Sequence, residues 1–302
     1  MIFMCCHPAI PAESRVALSL KTVGGFSVRE ISRAFLAEDA AIAQRLARAK
    51  RQIRDQRLTL DPPSGPELKT RLDWVLEVIY LIFNEGYTAH QGEDLIRTDL
   101  CFEALRLGSL VAASSLATPA AHALMALMAF QAARLPARTD ESGDLVLFED
   151  QDRSRWDEEL IRSGFNHFEQ SIAGDEVSLY HAQAAIAANY ARPGPIDWDT
   201  ILELYDQLLA MHPSPVAELN RAVVIAKTGR VADALQELNR LESDERLRDY
   251  YLLPAARGHL LLQTGRRPEA VACFERAIKR LCSEPERRFL QKRLAECEGA
   301  AG

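Results

Sequence analysis

The 302-residue chain has no run of 18 or more uncharged apolar residues, which excludes a membrane-spanning helix, and residues 1–9 lack the basic segment that opens a secretory signal. The expected location is the cytoplasm, with no membrane partner. Cysteine is scarce: Cys5, Cys6, Cys101, Cys273, Cys282 and Cys297 have no framework spacing, so reduced thiols are expected. Cys5-Cys6-His7 is a weak metal candidate, because adjacent cysteines cannot easily both ligate one ion and no second pair follows at short spacing. No phosphate-cradling glycine loop and no nucleophile paired with a base is present either. The carboxylates of Asn84-Glu85-Gly86-Tyr87 and Asp150-Gln151-Asp152-Arg153 are therefore expected to sit in turns, as caps and turn acceptors and in an ion pair with Arg153 or Arg155. No enzyme, catalytic residue, cofactor or metal is expected.

Hydrophobic residues make up 48% of the chain and charged residues 26%, a composition that excludes a disordered or collagen-like polymer, and the length suits two domains. The net charge of −7 is unevenly spread. Residues 1–60 hold ten basic and five acidic side chains, a balance of +5, which leaves −12 on the remainder. A basic end on an acidic body suits a chain in which one part meets a polyanion and the rest must not adhere to it.

The periodicity predicts an all-α protein. Three prolines and a glycine in Asp61-Pro-Pro-Ser-Gly-Pro66 mark a linker between a first domain, 1–60, and a helical middle domain, 67–175. Helices are expected from Glu67 to Asn84, Asp94 to Ala113 and Pro119 to Leu135, with Asn84-Glu85-Gly86-Tyr87 closing the first. Leu145-Val-Leu-Phe148 is the one strand-like run and, with the turn-like Glu141-Ser-Gly-Asp144, suggests a small hairpin. Residues 176–302 read as a tetratricopeptide-like helical array. Gly229-Arg-Val-Ala-Asp-Ala-Leu235 and Gly265-Arg-Arg-Pro-Glu-Ala-Val271 repeat one pattern 36 residues apart, and Ser283 to Cys297 reads as a terminal cap helix. Trp74, Trp156 and Trp198 are expected core anchors, and His122, His181 and His259 stand isolated.

The first domain carries the functional signal. A short helix from Glu13 to Thr22 is followed by Val23-Gly-Gly-Phe26 and by Ser27-Val-Arg-Glu30, an N-cap with its acidic partner at the capping-box position. A second helix to about Phe35 and a third from Ala40 to Arg57 then make a helix-turn-helix. The third helix has Ile42, Leu46, Ala49 and Ile53 on one stripe, and Arg45, Arg48, Lys50, Arg51, Arg54 and Arg57 elsewhere, opposed by Asp55. In this motif the leading turns enter the major groove, so Ala40, Ala41, Gln44, Arg45 and Arg48 face base edges, with glutamine suited to adenine and arginine to guanine. Arg51, Arg54 and Arg57 lie further along and hold phosphates.

Val16-Ala-Leu-Ser-Leu-Lys-Thr-Val-Gly-Gly-Phe-Ser-Val-Arg-Glu-Ile-Ser-Arg-Ala-Phe35, with Ile42-Ala-Gln-Arg-Leu-Ala-Arg-Ala-Lys50, resembles region 4 of bacterial extracytoplasmic-function sigma factors. The remainder is similar to the subgroup with a long tetratricopeptide-like extension, through Cys5-Cys-His-Pro8, Leu81-Ile-Phe-Asn-Glu-Gly-Tyr87, Asp150-Gln-Asp-Arg-Ser-Arg-Trp156 and Leu219-Asn-Arg-Ala222. The resemblance implies binding of the −35 promoter element, docking on the β-subunit flap of the RNA polymerase core, and a recognition helix matched by Gln44, Arg45 and Arg48. It also implies a region 2 ahead of Cys5, so the chain is expected to be either a truncated sigma factor, the favoured reading, or a remnant that docks at a promoter without opening it. A regulatory protein is an expected partner of the groove of the array. The competing expectation is a tetratricopeptide-type interaction scaffold without specific DNA binding.

Overall fold

The computed structural model describes residues 2–7, 9–34, 37–57, 65–87, 96–175, 177–280 and 282–299, and every regular element among them is helical. The protein is all-α. In chain order the helices are α1 (Ile2–Cys5), α2 (Ala12–Thr22), α3 (Val28–Ala34), α4 (Asp39–Asp55), α5 (Pro66–Tyr87), α6 (Thr98–Ala112), α7 (Pro119–Ala132), α8 (Glu158–Ser171), α9 (Leu179–Ala191), α10 (Trp198–Met211), α11 (Pro215–Lys227), α12 (Val231–Leu241), α13 (Leu252–Gln263), α14 (Arg267–Ile278) and α15 (Glu284–Gly299). None of them is long and apolar enough to cross a membrane. Their starts follow from local chemistry. Thr118 caps α7 through the Ala121 N–H (3.3 Å), Asp157 caps α8 through Glu159 and Leu160 (both 2.9 Å), and Asp197 caps α10 through Thr200 (3.0 Å).

α7 is apolar on all sides and buried on all sides, so it forms the axis around which α5, α6, α8 and α9 pack. Its core continues in both directions along the chain. Ile31, Ile42 and Leu46 from α3 and α4 share one apolar cluster with Leu76, Ile79 and Phe83 of α5, with Leu124 and Leu127 of α7, and with Ala184 and Ala188 of α9. The expected domain limits at 60–66 and 176 therefore do not coincide with a break in packing. Residues 61–64 of the expected linker lie outside the described residues; Gly65 is left-handed (φ +56°) and Pro66 opens α5.

The C-terminal helices have a separate core built from Leu219, Leu238, Leu260, Phe274 and Leu290, and a third cluster of α9, α10 and α11 residues joins the two halves. α11 pairs with α12 and α13 with α14, as the repeated Gly-Arg pattern implies. Gly229 (φ +87°) and Gly265 (φ +76°) make the left-handed turn inside each pair. α15 closes the stack. Its start is fixed by Ser283, whose N–H and hydroxyl both donate to Glu286 (2.8 Å each), while the Tyr251 hydroxyl donates to the other oxygen of Glu286.

Three expectations need correction. Asn84 to Tyr87 is helical, because α5 runs through it; Gly86 is a contact surface there, with its carbonyl accepting from the Arg97 N–H (2.8 Å). Leu145 to Phe148 is not a strand. A single antiparallel bridge joins Thr139 and Leu145, and Phe148 starts a 3-10 turn, because Leu145, Leu147 and Phe148 face a cavity also lined by α11, α13 and α15. This segment is fastened at both ends. Asp144 accepts from Arg288 Nε and Lys292 Nζ of α15 (2.5 Å each), and Glu149 pairs with Lys227 of α11. Arg153 and Arg155 form no ion pair among the described residues and instead donate to carbonyls: Arg153 to Tyr190 (2.6 Å) and Arg192 (2.9 Å), Arg155 to Thr139 (3.2 Å). Both side chains are exposed, and the carbonyls at the end of α9 and at Thr139 lie within reach of their guanidiniums.

The isolated histidines also find partners. His122 and His167 stack with Nδ1 atoms 2.9 Å apart, and His181 accepts from the Ser178 N–H (3.0 Å) while its Nε2 meets the Ser171 carbonyl (3.0 Å). Trp156 is buried as an anchor should be. Trp74 and Trp198 are only half-buried, the former under the Arg15 guanidinium at 4.0 Å.

Candidate nucleic-acid interface

The helix expected to face DNA is held from below by α2 and α3. Ser27 and Glu30 form the expected reciprocal box: the Ser27 N–H donates to Glu30 Oε2 (2.7 Å) and the Glu30 N–H to Ser27 Oγ (3.2 Å). The other oxygen of Glu30 accepts from Arg97 at 2.6 Å, immediately before α6. A capping residue thus also clamps the helix-turn-helix to the middle bundle, a role with no signature in the local sequence. Burial raises the Glu30 carboxyl, but the Ser27 donors and Arg97 outweigh it and hold the group below its ordinary value. A carboxyl depressed in the folded state stabilises above its unfolded pKa, and that contribution disappears as pH falls through the folded value. Glu30→Gln is accordingly expected to cost ~0.5–1 kcal/mol at neutral pH. The gap between the two proteins should close in acid; urea unfolding from pH 3 to 7 measures it, and a gap independent of pH would contradict the clamp.

α4 starts at Asp39, one residue earlier than expected, with the Ser32 hydroxyl donating to the Asp39 carboxylate. Residue 35, the expected end of the preceding helix, lies outside the described residues. Ile42, Leu46 and Ala49 are buried at the expected spacing and Ile53 is half-buried; Ala49 meets Cys5, Ile10 and Leu18 in a small cluster of its own. On the remaining surface Ala40, Gln44, Arg48, Arg51, Arg54 and Arg57 are exposed, and Ala41 and Arg45 half-buried. The leading turns are open to solvent. Arg54 sits 3.4 Å from Asp55, and Arg57 takes a left-handed conformation (φ +49°) just beyond the helix end. The face can thus offer an amide and several guanidiniums to an anionic groove.

Other candidate groups are engaged in packing. Cys5 Sγ lies 3.2 Å from the Thr22 hydroxyl and Cys6 Sγ 3.9 Å from that of Ser19; burial pushes the Cys6 thiol up to about 11. All six cysteines are free and buried.

Residues 71–172, which span α5 to α8, match a family of unknown function (DUF6596). The whole chain is also similar to the uncharacterized protein R00370 of Rhizobium meliloti (strain 1021), with 39% identity over 297 residues. That similarity covers 97% of this chain and 70% of the relative, so the chain belongs to the same protein family as R00370.

Proposed function

We propose that the chain is the promoter-recognising portion of a sigma-type transcription factor, acting in the cytoplasm with the RNA polymerase core. The observation that carries this reading is the open basic face of α4 on a capped helix-turn-helix. Laid in the major groove of the −35 element, the first turns bring Ala40, Ala41, Gln44, Arg45 and Arg48 to base edges, and Arg51, Arg54 and Arg57 follow the phosphates. Polymerase, docked through its β-subunit flap, supplies all the chemistry. The remaining −12 charge keeps the rest of the chain off the duplex.

The test is fluorescence anisotropy on a promoter library at 50 and 200 mM salt. Affinity should fall steeply with salt, with a log–log slope of about −0.9 for each phosphate neutralised. Arg45→Ala with Arg48→Ala should weaken the best site by ~10-fold or more, since one bidentate arginine–guanine contact is worth ~1–3 kcal/mol. Equal binding by the double variant, or affinity indifferent to salt, would favour the other reading. That reading is a tetratricopeptide-type scaffold, supported by the mainly apolar cavity that α11, α13 and α15 line together, where a regulatory protein would dock.

A further inference from the structure

A cavity of about 410 Å³ opens between α7, α9, α10 and α11, and a second of about 290 Å³ adjoins it, sharing Arg134, Tyr190, Tyr205 and Asn220. It lies away from α4, α11 also lines the cavity under the repeats, and its size falls in the range of ligand pockets. Arg134 follows the last turn of α7 and lines both. Its guanidinium lies 4.4 Å from the centre of the Phe148 ring, and its Nε donates to Gln151 (3.2 Å). Among the described residues its two terminal amino groups donate to nothing and no carboxylate pairs with it. Burial pulls this guanidinium below its ordinary value.

Two further groups in the same wall lack partners. Gln131 Oε1 and Gln183 Oε1 are buried and accept no hydrogen bond. Buried acceptors left open are uncommon, because water gave them partners in the unfolded chain. Tyr80, Phe130 and Leu208 supply apolar surface between them. Burial pushes the Tyr190 hydroxyl up to about 12 and that of Tyr205 higher still, so both stay neutral.

The cavity therefore presents one planar cation, two carbonyl acceptors and an apolar patch, beside the polar side chains of His212, Ser214 and Asn220. We propose that it binds a free α-amino acid with a large apolar side chain, the carboxylate held by Arg134 and the ammonium by Gln131 and Gln183. A guanidinium fork matches a carboxylate in two parallel hydrogen bonds, and the ammonium brings the donors that two open acceptors need. An inorganic anion would meet only the first demand.

The experiment is calorimetric titration and thermal unfolding of the whole chain with L-leucine, L-phenylalanine and L-tryptophan. Leucinol lacks the carboxylate, isocaproate the ammonium, and inorganic phosphate both the ammonium and the apolar side chain. At least one amino acid should bind and raise the melting temperature, while the matched probes should not. Arg134→Met should abolish the shift, and Gln183→Leu should weaken binding by ~10-fold, as expected for losing one charge-assisted hydrogen bond. No response to any amino acid, an equal response to phosphate, or an unchanged response in Arg134→Met would overturn the proposal. Should circular dichroism show Arg134→Met unfolded, Gln183→Leu decides, and undiminished binding there overturns it. Promoter binding is read separately through α4, so failure of one reading leaves the other standing.

Discussion

Phe274→Ala should lower the unfolding free energy of the C-terminal helices by about 3–5 kcal/mol. The ring is 1% exposed at the centre of the core that α11 to α15 share, with Ala270 and Ala277 fully buried beside it on α14. Across the pair it meets Gly258 of α13, where an added Cβ would lie 3.0 Å from the ring edge. The residues placed directly against the ring, Gly258, Ala270 and Ala277, are too small to fill the space left behind, so the loss includes a cavity as well as transferred area. Urea unfolding followed by circular dichroism measures the total. Hydrogen exchange should place the loss in residues 252–299 before residues 71–172, since the two halves keep different cores. A cost below 1 kcal/mol would mean that α13 and α14 collapse onto each other freely.

Gly86→Ala is expected to destabilise the α5–α6 contact although alanine is the better helix former. The propensity gain is ~1 kcal/mol. Against it, a Cβ at 86 would stand 2.8 Å from the Arg97 carbonyl and 2.8 Å from the Cys101 N–H nitrogen, both backbone atoms that cannot turn aside. Separating the helices also strains the Arg97 N–H bond to Gly86 and, through Arg97, the clamp on Glu30. The net expected cost is ~1–3 kcal/mol, as for other overpacked contacts. Gly108→Ala is the control, because its Cβ would meet the movable thioether ends of Met125 and Met128. Similar costs at both sites would refute the argument from backbone rigidity.

Local chemistry made the helices readable. The capping box at Ser27, the turn glycines at 229 and 265, and the buried stripe Ile42, Leu46 and Ala49 each depend on residues a few positions apart, and each appears where the pattern put it. What escaped depends on partners far along the chain. Arg97 reaches Glu30 across 67 positions, and Arg288 and Lys292 reach Asp144 across 144 and 148. Leu145 to Phe148 shows the same limit in reverse: its β-branched and aromatic content fits a strand, but tertiary packing gave its apolar side chains helices to lie against. Arg134 and the two glutamines sit in ordinary helical text, and only the assembled α7, α9, α10 and α11 bring them to one cavity.

Asp144 and Glu149 make the chain a tenant of its own repeat stack. Because the tenant is covalently tethered, any outside peptide contends with a rival whose local concentration is on the order of millimolar. Its apparent affinity is the intrinsic one scaled by the fraction of time the seat stands vacant. On the scaffold reading, whatever loosens the grip of Arg288 and Lys292 on Asp144 would set how readily a visitor is admitted.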